Sequence, residues 1–217
     1  MPATIPSRPE SIELVGGHPA VDLVNTVSWR QDADRWRENL VVPLDLLTWA
    51  DRTGVLDERQ LVAMRSVIAQ EPEAADDVLD RVRELREQLH HHLAACIDQP
   101  GGQPQIQEGS PLHRAFADAV TASSLAGTPA RWTLQLRCLH DLPRVLALHA
   151  LDLVQTMPPD RLRRCDDHGC GWLFLDTTRN HSRRWCSSTD CGNRDRARRH
   201  YARNRTGARA DATAPRG

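Results

Sequence analysis

Towards its C-terminal end the chain carries four cysteines, Cys165, Cys170, Cys186 and Cys191, spaced C-x4-C-x15-C-x4-C. Two close pairs separated by a loop of this length are what a tetrahedral zinc site needs. Each short pair bends into a knuckle that aims two sulfurs at one metal, and the residues between form a hairpin that brings the second pair back. Four thiolates close the coordination shell, so one structural zinc is expected; a catalytic zinc keeps one position open. His168 and His181 flank the site and are alternative ligands, but the cysteine pairing is symmetric without them. The same four cysteines would also make two disulfides. The start, MPATIPSRPESIELVGG, lacks the basic segment and apolar run of a secretory signal, so a cytoplasmic location is expected, where paired cysteines more often bind metal.

The charge is divided along the chain. From residue 161 onward there are 14 Arg and 6 acids, a balance of +8, whereas the first 160 residues carry 14 Arg and 23 acids, a balance of −9. The near-neutral total therefore conceals a basic metal-stapled module behind a larger acidic domain, the charge pattern of a nucleic-acid binder with an attached sensing or assembly domain. There is no Lys, and Arg forms bidentate contacts with phosphate and guanine that Lys does not. No run of apolar residues is long enough to span a membrane.

The expected architecture is mainly α: a helical domain over 12–157 with at most a small β element, a treble-clef-like zinc module over 161–206, and a disordered tail over 207–217. Residues 1–10 are Pro-rich and expected to be loose. Pro19 suits a first helical turn, with Val21, Leu23, Val24 and Val27 following at helical spacing. Pro43 opens a second helix that ends near Gly54, and Asp57 caps a third through about Gln70. Over 73–98 the apolar residues Val78, Leu79, Val82, Leu85, Leu89, Leu93 and Cys96 recur every three or four positions, the strongest helical signal in the chain. A short helix is expected over 112–122 and another over 141–157. The alternation in RWTLQLRCL (131–139) predicts the one strand of this domain. Cys96 and Cys138 read as small buried apolar residues.

In the module, Gly171–Asp176 is a strand by composition, Thr177–Asn180 a turn and Ser182–Trp185 the returning strand. A helix then starts at Gly192-Asn193, with Asn193 as N-cap, and runs to about Arg205. Ala197 and Tyr201 are expected to face Trp172, Phe174 and Trp185. The candidate nucleic-acid residues are Arg183, Arg184, Arg194, Arg196, Arg198, Arg199, His200, Arg203 and Arg205. On the helix, 196, 199, 200 and 203 form one stripe and 194, 198 and 205 another. The first is assigned to the groove, while Arg183, Arg184 and Arg194 are assigned to phosphate.

The run CGWLFLDTTRNHSRRWCSSTDCGNRDRARRHYARNR resembles the CGNR zinc finger, named for its last cysteine and the residues after it, here Cys191-Gly192-Asn193-Arg194. The segment GGHPAVDLVNT (16–26) resembles the opening motif of the helical domain of the bacterial stress-induced transcription regulator family, which precedes that finger. The resemblance implies binding of double-stranded DNA in transcription. It leaves open RNA or ribosome binding and protein docking by the same module.

Within the opening motif, Asp22, Asn25 and Thr26 share a helical face, and with His18 they are candidates to line a pocket for a small-molecule effector. The alternative is that Asn25 and Thr26 bond backbone at a helix junction. No Ser/His/Asp arrangement, phosphate loop or paired-carboxylate motif supports an enzyme. A homodimer is possible on the acidic domain.

Overall fold

The structure is a computed structural model and describes residues 13–99, 102, 104–158 and 160–212, with side chains through 203. The Pro-rich start and residues 213–217 lie outside the described residues.

The chain opens with α1 (Pro19–Val24), in which five of six residues are buried. The His18 ring caps it, its Nδ1 accepting the Ala20 N–H at 3.1 Å, and Pro19 supplies a first-turn residue with no N–H to satisfy. The helix stops at Asn25, so Val27 lies in β1 (Val27–Ser28), paired antiparallel with β2 (Arg37–Glu38). Helix α2 (Pro43–Thr53) closes on Gly54, whose φ of 69° is a left-handed cap that favours glycine. In α3 (Glu58–Gln70), Asp57 is the cap the sequence predicts, and it and Gln60 bond each other's backbone N–H reciprocally at 2.8 and 2.9 Å, which completes a capping box.

The central element is α4 (Pro72–Asp98). Its buried stripe of Val78, Leu79, Val82, Leu85, Arg86, Leu89 and Leu93 follows the 3.6-residue period. Helices α5 (Pro111–Thr121) and α6 (Asp141–Thr156) pack on it and on each other, and α1, α2 and α3 cover its remaining faces. Trp49, Leu23, Leu40, Leu47, Leu79, Leu89, Leu93 and Leu153 are the large, fully buried side chains of this core.

Segment 131–139 forms a strand only over β4 (Arg131–Thr133), and it is not alone: it pairs antiparallel with β3 (Ser124–Ala126), with Leu125 opposite Trp132. Both are exposed, at 57% and 39%. Beyond Thr133 the chain turns towards α6, and Asp141 accepts the N–H groups of Arg137 and Cys138 at 2.9 and 3.2 Å. Cys138 is exposed and Cys96 only half-buried, against the expectation of burial.

The last part contains β5 (Leu162–Arg164), β6 (Leu173–Leu175) and α7 (Cys191–Ala212). The expected strand at 173–175 is present, but its partner is β5, in the register Leu162 to Leu175 and Arg164 to Leu173. Ser182–Trp185 is not a strand. The reason is Asp176, 1% exposed, which accepts the N–H of Thr178 at 2.9 Å and that of Arg183 at 3.0 Å. The Arg183 amide is thereby bonded to a side chain and unavailable for a ladder. Helix α7 starts at Cys191, so Asn193 lies inside the first turn and is not the N-cap; its amide donates to Thr189 O at 2.5 Å. The helical backbone continues to Ala212, past the point at which a tail is expected. Among the described residues no helix is long and apolar enough to cross a membrane.

Candidate metal centre and basic helix

The β5–β6 hairpin carries the first knuckle at its tip, with the Cys165 N–H bonded to Trp172 O at 2.9 Å. Gly171 follows at φ 70°, where a Cβ would lie 2.9 Å from that of Arg30, so both conformation and space call for glycine. The second knuckle ends in α7, and Cys191 is the first residue of the helix. All four cysteines are buried, and their sulfurs lie within 4.8 Å of one another. The pairs Cys170–Cys186 and Cys186–Cys191 stand at 3.7 and 3.4 Å. A tetrahedron of Zn–S bonds near 2.3 Å has edges of about 3.8 Å, so the donor set fits zinc in number, chemistry and spacing. Binding the metal requires these thiols to be deprotonated, so it releases protons and grows stronger as pH rises. His168 is exposed, and His181 lies 3.5 Å from Asp160, so neither belongs to the cluster.

The charge of the sulfur cluster is balanced from α7. Arg194 donates to Cys191 Sγ at 2.8 Å and, through Nε, to Asp167 at 2.8 Å. Its guanidinium also lies 4.6 Å over the Trp29 ring. Arg198, one turn on, gives Nη1 to the other Asp167 oxygen at 2.7 Å. Asp167 is 1% exposed. Burial acts to raise its pKa, but the bonds from Arg198 and Arg194 outweigh it and hold the carboxyl below the usual range. The sequence reading missed Asp167; an acid between the cysteines of a knuckle, in a module otherwise rich in arginine, was the available signal.

This arrangement orients α7. The stripe of 194 and 198 faces the first knuckle, so 196, 199, 200 and 203 lie on the opposite side at 100° per residue, and all four are exposed. Arg196 bonds Ser188 O at 3.1 Å, and Arg199 pairs with Asp195 at 2.8 Å. Ala197 and Tyr201 do not pack on the hairpin aromatics: Ala197 is exposed, and Tyr201 is 68% exposed. The side chain of Arg205 lies outside the described residues. Of the three arginines assigned to phosphate, Arg184 is exposed and pairs with Asp166 at 2.7 Å. Arg183 and Arg194 turn into the protein instead. The Arg183 guanidinium lies 4.2 Å over Phe174 and donates to the carbonyls of Trp185, Val15 and Cys186.

The opening motif builds the seat of this module. Asn25, fully buried, bonds both the N–H and the carbonyl of Leu173. Thr26 Oγ1 donates to Leu23 O at 2.7 Å and accepts from Arg86 at 3.1 Å. Asp22 accepts the Gly16 N–H at 2.8 Å, while Gly16 O accepts the Leu175 N–H at 2.8 Å. His18 caps α1 and stands 3.6 Å from Asp152. The expected effector pocket at His18, Asp22, Asn25 and Thr26 gives way to a junction, because their polar atoms are satisfied within the chain.

Residues between β1 and β2 complete the seat. The N–H groups of Arg30 and Gln31 bond the carbonyls of Cys170 and Gly169 at 3.1 and 3.3 Å, and the Trp172 indole donates to Val27 O at 2.9 Å. Behind them runs a partly buried ion network. Arg86, 3% exposed, holds both oxygens of Glu38 at 2.7 Å and Glu87 at 2.8 Å, and Glu87 in turn holds Arg30 at 2.7 Å. Burial raises the Glu87 pKa, but Arg30 and Arg86 prevail and bring it to about 2. Leu162 and Leu173 belong to the same apolar core as the helices.

A helical domain with a four-cysteine metal module seated on its N-terminal segment defines the class: a structural zinc-finger protein with one zinc. Residues 17–164 match the family described as ABATE, putative stress-induced transcription regulator, and residues 161–204 match the CGNR zinc finger. The first match spans more than half of the chain, and the protein belongs to that family. The two matches overlap at 161–164, which contains β5, the strand whose Leu162 lies in the helical core. No curated protein matches the chain.

Proposed function

We propose that this protein is a transcription regulator that binds double-stranded DNA through the exposed stripe of α7, with the zinc centre fixing that helix and the acidic domain acting as its scaffold. The observation that carries the reading is the double engagement of Asp167. Arg194 and Arg198 clamp one face of α7 to the first knuckle, which leaves Arg196, Arg199, His200 and Arg203 as a cationic face at helical spacing, the shape a major groove admits. The separation of +8 from −9 along the chain supports the same division of labour.

The test is binding of the full-length, zinc-loaded protein to a selected target duplex and to random duplex across salt. Arg199→Ala is expected to cost about 1–3 kcal/mol on the target and relax its preference, and Arg184→Ala to reduce the salt slope by about one unit on every duplex. Equal losses on both duplexes make the helix a counterion only. No change in either variant removes the DNA reading and favours protein docking. Tyr201, at 68% exposure beside His200, favours one second reading, because an exposed aromatic is a stacking surface for single-stranded bases. Tighter binding to structured RNA than to duplex DNA, lost in Tyr201→Ala, supports that reading instead.

A further inference from the structure

Beneath the β3–β4 hairpin lies a cavity of about 630 Å³, within the size range of small-molecule sites. Strand β4 contributes Arg131 and Trp132, the residue after it Leu134, and α6 Val145, Leu148, His149 and Asp152. Its lining mixes apolar side chains with polar ones such as Gln60, Gln155 and Thr156, and Trp132 retains 39% exposure that folding has not covered. Among the described residues no hydrogen bond reaches the half-buried His149 ring. Burial lowers the pKa of that ring, so at neutral pH it offers one donor and one acceptor. Arg131 gives one Nη to Asp152 at 2.7 Å, and its side chain is otherwise 65% exposed, which leaves further guanidinium donors.

We propose that this cavity binds a small carboxylate with an aromatic or branched apolar body, the body against Trp132 and Leu148 and the carboxylate on Arg131 and His149. The sign of the charge follows from the lining. Asp152, its one acid, is already matched by Arg131 and lies 3.6 Å from His18, so a cationic ligand has to displace Arg131. An anion takes up the donors that Asp152 leaves, and the planar fork of arginine fits a carboxylate. The site also lies near the seat of the zinc module, because His18 caps α1 and α1 ends at Asn25. The ligand site does not rest on the DNA reading, and its test involves no nucleic acid.

The test is calorimetric titration of the full-length, zinc-loaded protein with 1-naphthoate, with 1-naphthamide as the neutral match and 1-naphthylmethylamine as the cationic one. One naphthoate per chain is expected, bound at least tenfold more tightly than either match. Arg131→Ala, a change on an exposed side chain, is expected to abolish the preference, and Arg131→Lys to retain part of it. Arg114→Ala, on α5 and outside this cavity, is expected to leave binding unchanged. Absence of naphthoate binding into the millimolar range overturns the proposal. So does equal affinity for the three probes in the wild type, or a preference for naphthoate that survives Arg131→Ala.

Discussion

Asn25 holds Leu173 by both ends of its carboxamide: Nδ2 donates to the Leu173 carbonyl at 2.8 Å, and Oδ1 accepts the Leu173 N–H at 2.9 Å. The amide takes the place of a neighbouring strand for β6, across 148 residues of sequence. A fully buried Asn in the opening motif therefore ties the helical domain to the metal hairpin.

Asn25→Ala leaves a buried N–H and a buried carbonyl without partners. At about 1–3 kcal/mol for each orphaned group, a loss of roughly 2–6 kcal/mol is expected in urea unfolding of the full chain. A loss within about 0.5 kcal/mol, the range of surface changes, contradicts the role of this clasp.

Metal analysis of purified protein is expected to give one zinc per chain, and Cys186→Ser is expected to release it. Structural zinc contributes about 10 kcal/mol or more to folding. Leu162 and Leu173 belong to the main core, so the loss is expected to lower the unfolding temperature of the helical domain too, not to melt an independent tail. A metal-free variant whose helical domain melts at the wild-type temperature excludes the shared core.

Asp22 is 6% exposed, and burial pushes its carboxyl up to about 6, against the bonds from Gly16 and Val15. The unfolded carboxyl ionises first as pH rises, so its contribution to stability is lost progressively from about pH 4 to about pH 6 and is absent above that. Asp22→Asn, which can still accept the Gly16 N–H, is therefore expected to stabilise the protein by about 2 kcal/mol at pH 7.5, and by less at pH 5. Denaturant titrations at the two pH values provide the check; a gain no larger at pH 7.5 than at pH 5 contradicts it.

Asp167→Ala removes the shared acceptor of Arg194 and Arg198. Loss of two charge-assisted bonds from a buried carboxylate is expected to cost about 2–4 kcal/mol. It is also expected to speed amide exchange along α7 while zinc stays bound. Arg199→Ala, on the opposite stripe, is expected to leave that exchange unchanged, and equal protection in all three proteins refutes the clamp.

Much of the helical domain is legible in the sequence because its signals are local. Apolar spacing marks α4, Asp57 marks a cap, and Pro19 and Pro43 mark helix starts, each through chain geometry within one or two turns. The four cysteines are legible for a related reason, since the ligand chemistry of zinc restricts them more than any packing does. What needed the tertiary structure was which distant groups meet. Composition finds β6 but not its partner, because Asp176 diverts Arg183 from the ladder and β5 takes its place. Helical periodicity gives two arginine stripes on α7 of equal standing, and only the buried carboxylate of Asp167 decides which faces inward. The opening motif reads as a junction or as a pocket; the backbone of Leu173, 148 residues away, makes it a junction. Sequence by itself determined the elements and the metal chemistry, whose causes lie within a few residues. Tertiary structure decided the pairings, because a buried polar group is satisfied by whatever the fold brings within about 3 Å of it.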